Sequence, residues 1–238
     1  PDQRLRLRAH LELADPKRGP QGYEALAEAA RFGKTLYARL HGVWGMGVAA
    51  RKNLALETQR LVALTQDPQA EVRAQAARML GELRRSIHAP VLETLLQDSN
   101  ARVRLRAAIA LGELGSKQSR TALLALAEAH GATDPTLRSA LGAALARCAS
   151  PMELAAVVSA SSSAQRMAAV VALRIQASPF VAAFLQDADA QVAQEAVRAI
   201  YDAQIMDALP ALASIERSFS APTLRRIQHA RWRVGGLE

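Results

Sequence analysis

From Asp67 the chain reads Asp-Pro-Gln-Ala-Glu-Val-Arg-Ala-Gln-Ala-Ala-Arg-Met-Leu-Gly-Glu-Leu, and from Asp98 it reads Asp-Ser-Asn-Ala-Arg-Val-Arg-Leu-Arg-Ala-Ala-Ile-Ala-Leu-Gly-Glu-Leu. A second copy so close in sequence, one supersecondary unit later, is an internal repeat. Each unit is too small to bury its apolar face alone, so copies must stack, and a stack of helical units presents a surface rather than enclosing a central core. Val72, Ala76, Ala77 and Leu80 recur as Val103, Ala107, Ala108 and Leu111. That i, i+4, i+5, i+8 spacing is one stripe of a helix. The stretch between the copies shows the same habit in Pro90, Val91, Leu92, Leu95 and Leu96, repeated in Ala122, Leu123, Leu124, Leu126 and Ala127. Two facing stripes make a helical hairpin, and small residues at the crossings let the axes approach.

The apolar residue five positions after the aspartate, Val72 or Val103, serves as a ruler for weaker copies. Anchors at Leu5, Leu36, Val72, Val103, Leu137, Met167, Val192 and Leu224 predict seven or eight hairpins in one all-α body, a right-handed α-solenoid with second helices on its concave side. The domain expectation is a single repeat domain over 1–236. Leu237-Glu238 is the kind of end a cloning junction leaves and is set apart from the fold. Ala, Leu, Arg, Glu and Gln fill the segments, and only 4% of residues are aromatic, which suits helices. The single cysteine, Cys148, excludes an internal disulfide framework and any multi-cysteine metal or haem motif. No run of about 18 apolar residues exists for a membrane span.

The pattern Asp-x4-Val-Arg-x2-Ala-Ala-x2-Leu-Gly-x-Leu resembles the HEAT repeat, particularly the short HEAT-like form of phycobilisome lyases, strongly over about 61–126 and more weakly elsewhere. The resemblance implies a fold and no particular activity. The run Leu40-His41-Gly42-Val43-Trp44-Gly45-Met46-Gly47, with Phe184 to Asp189, Glu195 to Asp202 and Ala208 to Leu212, also resembles the HEAT segment of planctomycete-type proteins described as membrane-bound dehydrogenases. In that family a propeller precedes the repeats and a c-type cytochrome domain often follows. The resemblance implies a non-catalytic middle segment of an exported, multidomain redox protein, with no catalytic residue to carry over and a periplasmic or exported location.

Asp67, Asp98, Asp134 and Asp187 stand just before second helices, where a carboxylate caps orphan amides or forms a ladder with Arg73, Arg104 and Arg138. Gly81, Gly112, Gly115 and Gly131 lie near helix ends, as caps or close-packing positions do. Gly42, Gly45 and Gly47 lack the strand and the Gly-Lys-Ser/Thr of a phosphate loop and read as close helix packing. The five histidines, His10, His41, His88, His130 and His229, form no metal-spaced pair, and the repeated His-Glu pairs of HEAT-like metal hydroxylases do not occur. Cys148 reads as a small buried residue, and Ser159 to Ser163 as a loop. No metal, cofactor or catalytic set is expected.

Residues 1–120 hold 20 Lys and Arg against 12 Asp and Glu, whereas 121–238 hold 10 of each. A basic half admits an acidic partner, and HEAT-like DNA glycosylases offer an analogy for nucleic acid. Against that, 26 of the 30 basic residues are Arg, a bias that a GC-rich genome produces unaided, and few aromatic rings are present for stacking. The expected function is therefore a monomeric, non-catalytic scaffold that presents its second helices to a protein partner or to neighbouring domains of its own chain. Gln75, Arg78, Arg106 and Ile109 are the candidate contacts on that face, with Trp232 in a terminal basic cluster of Arg225, Arg226, Arg231 and Arg233. Nucleic-acid binding through the basic half is the alternative.

Overall fold

A computed structural model describes residues 2–52 and 55–235. Gly236 and the Leu237-Glu238 end lie outside the described residues. The fold is all-α, a solenoid of HEAT-like hairpins with no strand among the described residues. The chain divides into two compact units, Pro1–Gly115 and Ser116–Glu238, and each is itself a stack of hairpins.

Unit one begins with α1 (Gln3–Leu13) and continues through three hairpins: α2 (Gly19–Phe32) with α3 (Leu36–Arg51), α4 (Ala55–Ala63) with α5 (Ala70–Glu82), and α6 (Ala89–Leu95) with α7 (Ala101–Leu114). Unit two has four. They are α8 (Arg120–His130) with α9 (Pro135–Cys148), α10 (Pro151–Ala155) with α11 (Ser163–Ile175), a 3-10 turn (Pro179–Phe184) with α12 (Ala190–Asp202), and α13 (Leu209–Ala213) with α14 (Ala221–Gly235). The eight second helices, α1, α3, α5, α7, α9, α11, α12 and α14, carry all eight anchor residues of the sequence ruler. After α8, the first helices of unit two shrink to a turn or two, and Pro179 and Pro210 stand at the starts of the last two.

Val72, Ala76, Ala77 and Leu80, and likewise Val103, Ala107, Ala108 and Leu111, are fully buried, so the repeated stripe is the hairpin core. Burying each such Leu or Val contributes about 1.5–3 kcal/mol before entropy is counted. Small residues set the crossings. A Cβ on Gly42 would sit 2.7 Å from Leu26 O and 2.8 Å from Ala30 Cα, which places α3 directly on the backbone of α2. One on Gly81 would lie 2.6 Å from Ala110 Cβ, which brings α5 against α7.

Second helices start and stop in a common way. Thr35, Asn100, Asp134, Ser162 and Asp189 cap with side-chain oxygens on backbone amides. Gly115 ends α7 in the left-handed region at φ 64°, as its position near a helix end implies, and Arg84, Ala177 and Gln204 hold the same conformation after α5, α11 and α12 without being glycine. There the chain turns sharply, with Ser178 N–H donating to Leu173 O at 3.0 Å and Ile205 N–H to Ile200 O at 3.0 Å.

Candidate functional site

The fourth residue of six second helices is arginine: Arg6, Arg39, Arg73, Arg104, Arg138 and Arg166. At that position the side chain reaches back over the turn that precedes its own helix. Arg73 Nη1 donates to Asp67 O at 2.8 Å and Pro68 O at 3.2 Å. Arg104 Nη1 donates to Asp98 O at 2.8 Å and Ser99 O at 3.0 Å, and Arg166 Nη1 to Ala160 O at 2.7 Å and Ser161 O at 3.0 Å. The rest of the guanidinium reaches forward to the next turn. Arg73 grips Asp98 through two bonds of 2.7 and 2.8 Å, Arg166 grips Asp187 at 2.8 and 3.0 Å, and Arg39 pairs with Asp67. One arginine thus ties two successive turns, and the planar fork suits a carboxylate. The hydrogen bonds from Arg73 hold the Asp98 carboxyl below its usual range.

This arrangement corrects two readings of the sequence. Asp67, Asp98 and Asp187 stand two residues before the helix caps, which are Gln69, Asn100 and Asp189, and each closes a short turn by accepting the backbone N–H of that cap at 2.8 Å. Asp134 is the true cap, accepting from Leu137 N–H at 2.9 Å. The ruler is also displaced in three weak copies. Ala38, Gln165 and Thr223, rather than Leu36, Met167 and Leu224, hold the third helical position of Val72. A run of apolar residues allowed either register, and Arg166 as a rung was therefore missed.

On the second helices of unit one, Gln75 is not exposed as expected but only 3% accessible. Its Oε1 accepts from Trp44 Nε1 at 2.9 Å and its Nε2 donates to Glu71 Oε1 at 2.9 Å, so Trp44 covers it and it joins α3 to α5. Arg78 is exposed and bonded to Glu82 at 2.9 Å, and Glu82 also receives Arg51. Arg102 reaches Glu71 at 2.7 Å, linking α7 to α5. Arg106 and Ile109 are half-buried on α7. Beside Trp44, the His10 and His41 rings meet Nδ1 to Nδ1 at 2.8 Å, and burial lowers both their pKa values. Seven arginines of unit one, Arg18, Arg39, Arg51, Arg60, Arg73, Arg78 and Arg102, pair with acids of the same unit.

Unit two carries a groove of about 430 Å³ across three second helices, lined by Arg138 and Ser139 of α9, Met167, Val171 and Arg174 of α11, and Gln191, Glu195 and Arg198 of α12 among others. Glu195 accepts from Arg174 at 2.7 Å and from Arg198 at 3.4 Å. The groove arginines occupy different positions of their repeats, so alignment of the copies did not bring them together. Trp232, 70% exposed on α14, continues a row in which Tyr201 Oη and His229 Nδ1 lie 2.8 Å apart and the His229 and Trp232 ring centres 5.5 Å apart. Arg226 is held by Asp202, and Arg231 by Ala213 O and Ile215 O. Cys148 is buried, and burial raises its thiol to about 11, outside the range of a reactive thiolate. Among the described residues no group of three or more His, Cys, Asp or Glu is placed to hold a metal ion, and no helix is long and apolar enough to cross a membrane.

The stacked hairpins with paired Arg and Asp rungs now meet an independent finding, a match of residues 58–146 to the family profile of HEAT repeats. Residues 58–146 are HEAT repeats. No curated protein matches the chain. Among solved structures, the chain is similar to a HEAT-like repeats protein of the archaeon Thermococcus onnurineus, with a TM-score of 0.53 at 12% identity, over 90% of this chain and 97% of that one. It is also similar to a chain of the CpcE–CpcF complex of phycocyanin lyase from a Nostoc species, with a TM-score of 0.51 at 20% identity, over 88% of this chain and 93% of that one. At such identities the likeness is one of fold.

Proposed function

We propose that this chain is a non-catalytic scaffold whose second helices present a rigid surface to a protein partner or to neighbouring domains of its own parent chain. The observation that carries the reading is the stapling of one second helix to the next by side chains. Trp44 to Gln75, Arg102 to Glu71 and Arg51 to Glu82 do this in unit one, and Arg174 to Glu195 and Tyr201 to His229 do it in unit two. A surface fixed before binding loses less conformational freedom on association, which is what a docking face needs.

The test compares two faces. Arg78→Glu with Arg106→Glu alters the second helices of unit one, while Gln59→Glu with Arg84→Glu alters exposed positions elsewhere on the same unit. Co-purification of a partner with the full-length parent is expected to fall in the first pair only. Equal retention in both pairs would contradict the reading. A nucleic-acid role instead requires binding that weakens steeply with salt as counterions are released.

A further inference from the structure

The ladder lacks its carboxylate at more than one turn, since Ala132 stands two residues before the cap Asp134 and leaves Arg104 without an ion pair among the described residues, and a second arginine left in this way lines the groove of unit two. The residue two before the cap of the next second helix supplies the carboxylate in intact rungs: Asp67 before Gln69, Asp98 before Asn100, Asp187 before Asp189. Before Ser162, the cap of α11, that residue is Ala160. Arg138 of α9, the fourth residue of its helix as Arg73 and Arg166 are of theirs, is offered no carboxylate by Ala160. Its one bond is a long one, 3.3 Å from Nη1 to Gly131 O, and it makes no ion pair among the described residues. Arg138 is half-buried at the wall of the 430 Å³ groove, which Arg174 and Arg198 also line.

We infer that this groove binds an extended acidic peptide, with one of its carboxylates taking the place on Arg138 that a rung aspartate takes on Arg73 and Arg166. Three arginines against the single carboxylate of Glu195 leave the groove net positive, so the charge fits an anion. A partly desolvated guanidinium without a carboxylate is a ready partner for a bidentate, charge-assisted pair. The choice of peptide over nucleic acid follows from the rest of the lining. Glu195 sits between Arg174 and Arg198, where it repels a continuous phosphate backbone but leaves room for spaced carboxylates. No aromatic ring lines the groove for a base to stack on, whereas Met167, Val171 and Pro135 offer apolar wall to a neighbouring aliphatic side chain. Gln191 and Ser139 are exposed at its rim and can bond a peptide backbone. The motif recognised is thus an acidic residue beside an apolar one.

The inference rests on the scaffold reading and names the partner chemistry for one part of that face. The decisive variant is Ala160→Asp, which rebuilds the rung and withdraws Arg138 from the groove without removing any basic residue. A short fluorescein-labelled peptide of interspersed Asp, Glu and Leu is titrated by fluorescence anisotropy against the whole chain. The same peptide with Lys in place of its acids, and a labelled single-stranded oligonucleotide, are titrated in parallel. The acidic peptide is expected to bind wild type and Arg84→Ala, an exposed basic position off the second helices, alike, and to bind Arg138→Ala and Ala160→Asp about tenfold more weakly. Ala160→Asp should melt no lower than wild type, showing that the loss is not unfolding. Absence of peptide binding to wild type, binding by Ala160→Asp and Arg138→Ala as tight as by wild type, or preferential Arg138-dependent binding of the oligonucleotide would each overturn the inference. Parent-chain partner binding that survives Ala160→Asp counts against this groove alone; partner binding that ignores the second helices altogether counts against the scaffold reading.

Discussion

Asp187→Ala removes the carboxylate from the most deeply buried rung. The side chains of Arg166 and Asp187 are 10% and 1% exposed, and the carboxylate accepts two bonds from the guanidinium and a third from Asp189 N–H. The variant leaves a buried guanidinium held only by Ala160 O and Ser161 O, and opens the turn before α12. Removing one partner of a buried ion pair costs about 3–5 kcal/mol. Asp134→Ala, by contrast, removes only a helix cap, which costs about 1 kcal/mol. At roughly 2–4 °C per kcal/mol for a chain of this size, Asp187→Ala should melt at least about 6 °C lower than wild type, and Asp134→Ala about 2–4 °C lower. Because repeat arrays open in parts, hydrogen exchange should show the loss concentrated in the turn before α12 and at the start of α11. Adding Arg166→Met to Asp187→Ala should recover part of the stability, since no unpaired charge then stays buried. If Asp187→Ala melts no lower than Asp134→Ala, or the double variant is worse than the single, the rung does not stabilise the stack in the manner argued.

Acid should weaken unit one through its histidines. The folded state lowers the pKa of His10, His41 and His88, chiefly by burial, so it holds fewer protons than the unfolded chain; stability is fully present above about 6.5, the unfolded value, and falls as pH drops below it. Melts at pH 7.5 and 5.5 check this, with His10→Leu/His41→Leu expected to flatten the difference and equal melting temperatures contradicting it. Gly42→Ala should cost about 1–3 kcal/mol because its methyl meets the backbone of α2, whereas Gly47→Ala should cost less because the flexible Met79 side chain, with Cγ at 2.9 Å, can move aside; similar melts for the two would refute the distinction. Ala177→Gly should raise stability by up to about 1 kcal/mol by relieving a left-handed alanine at φ 49°, and a lower melting temperature would show that alanine at this site is not strained.

The sequence was most legible where the two copies agree. Val72 to Leu80 and Val103 to Leu111 fixed helix, stripe and hairpin together, because one apolar period admits one buried face. The weaker copies kept their helices but lost their register. Ala168, Ala169 and Val170 are all buried, so the apolar pattern around Met167 did not show which residue takes the place of Val72. The arginine rung would have set it, since Arg166 follows its helix start as Arg73 does. Gln75 shows a different limit. By helical position it belongs to the outward face, but a tryptophan one repeat earlier covers it, and such a contact between copies is invisible within either copy. The groove was out of reach for the same reason, being assembled from residues at unlike positions of three helices.

The central claim is that the second helices are the docking face. Its most direct test is a cross-linking map in the native host, with a photoreactive residue placed singly at Arg78, Ile109, Arg198 and Trp232 on second helices and at Gln59, Glu93 and Thr121 on first helices. The account predicts a common cross-linked product at second-helix positions and none at first-helix positions; products confined to the first helices would contradict it.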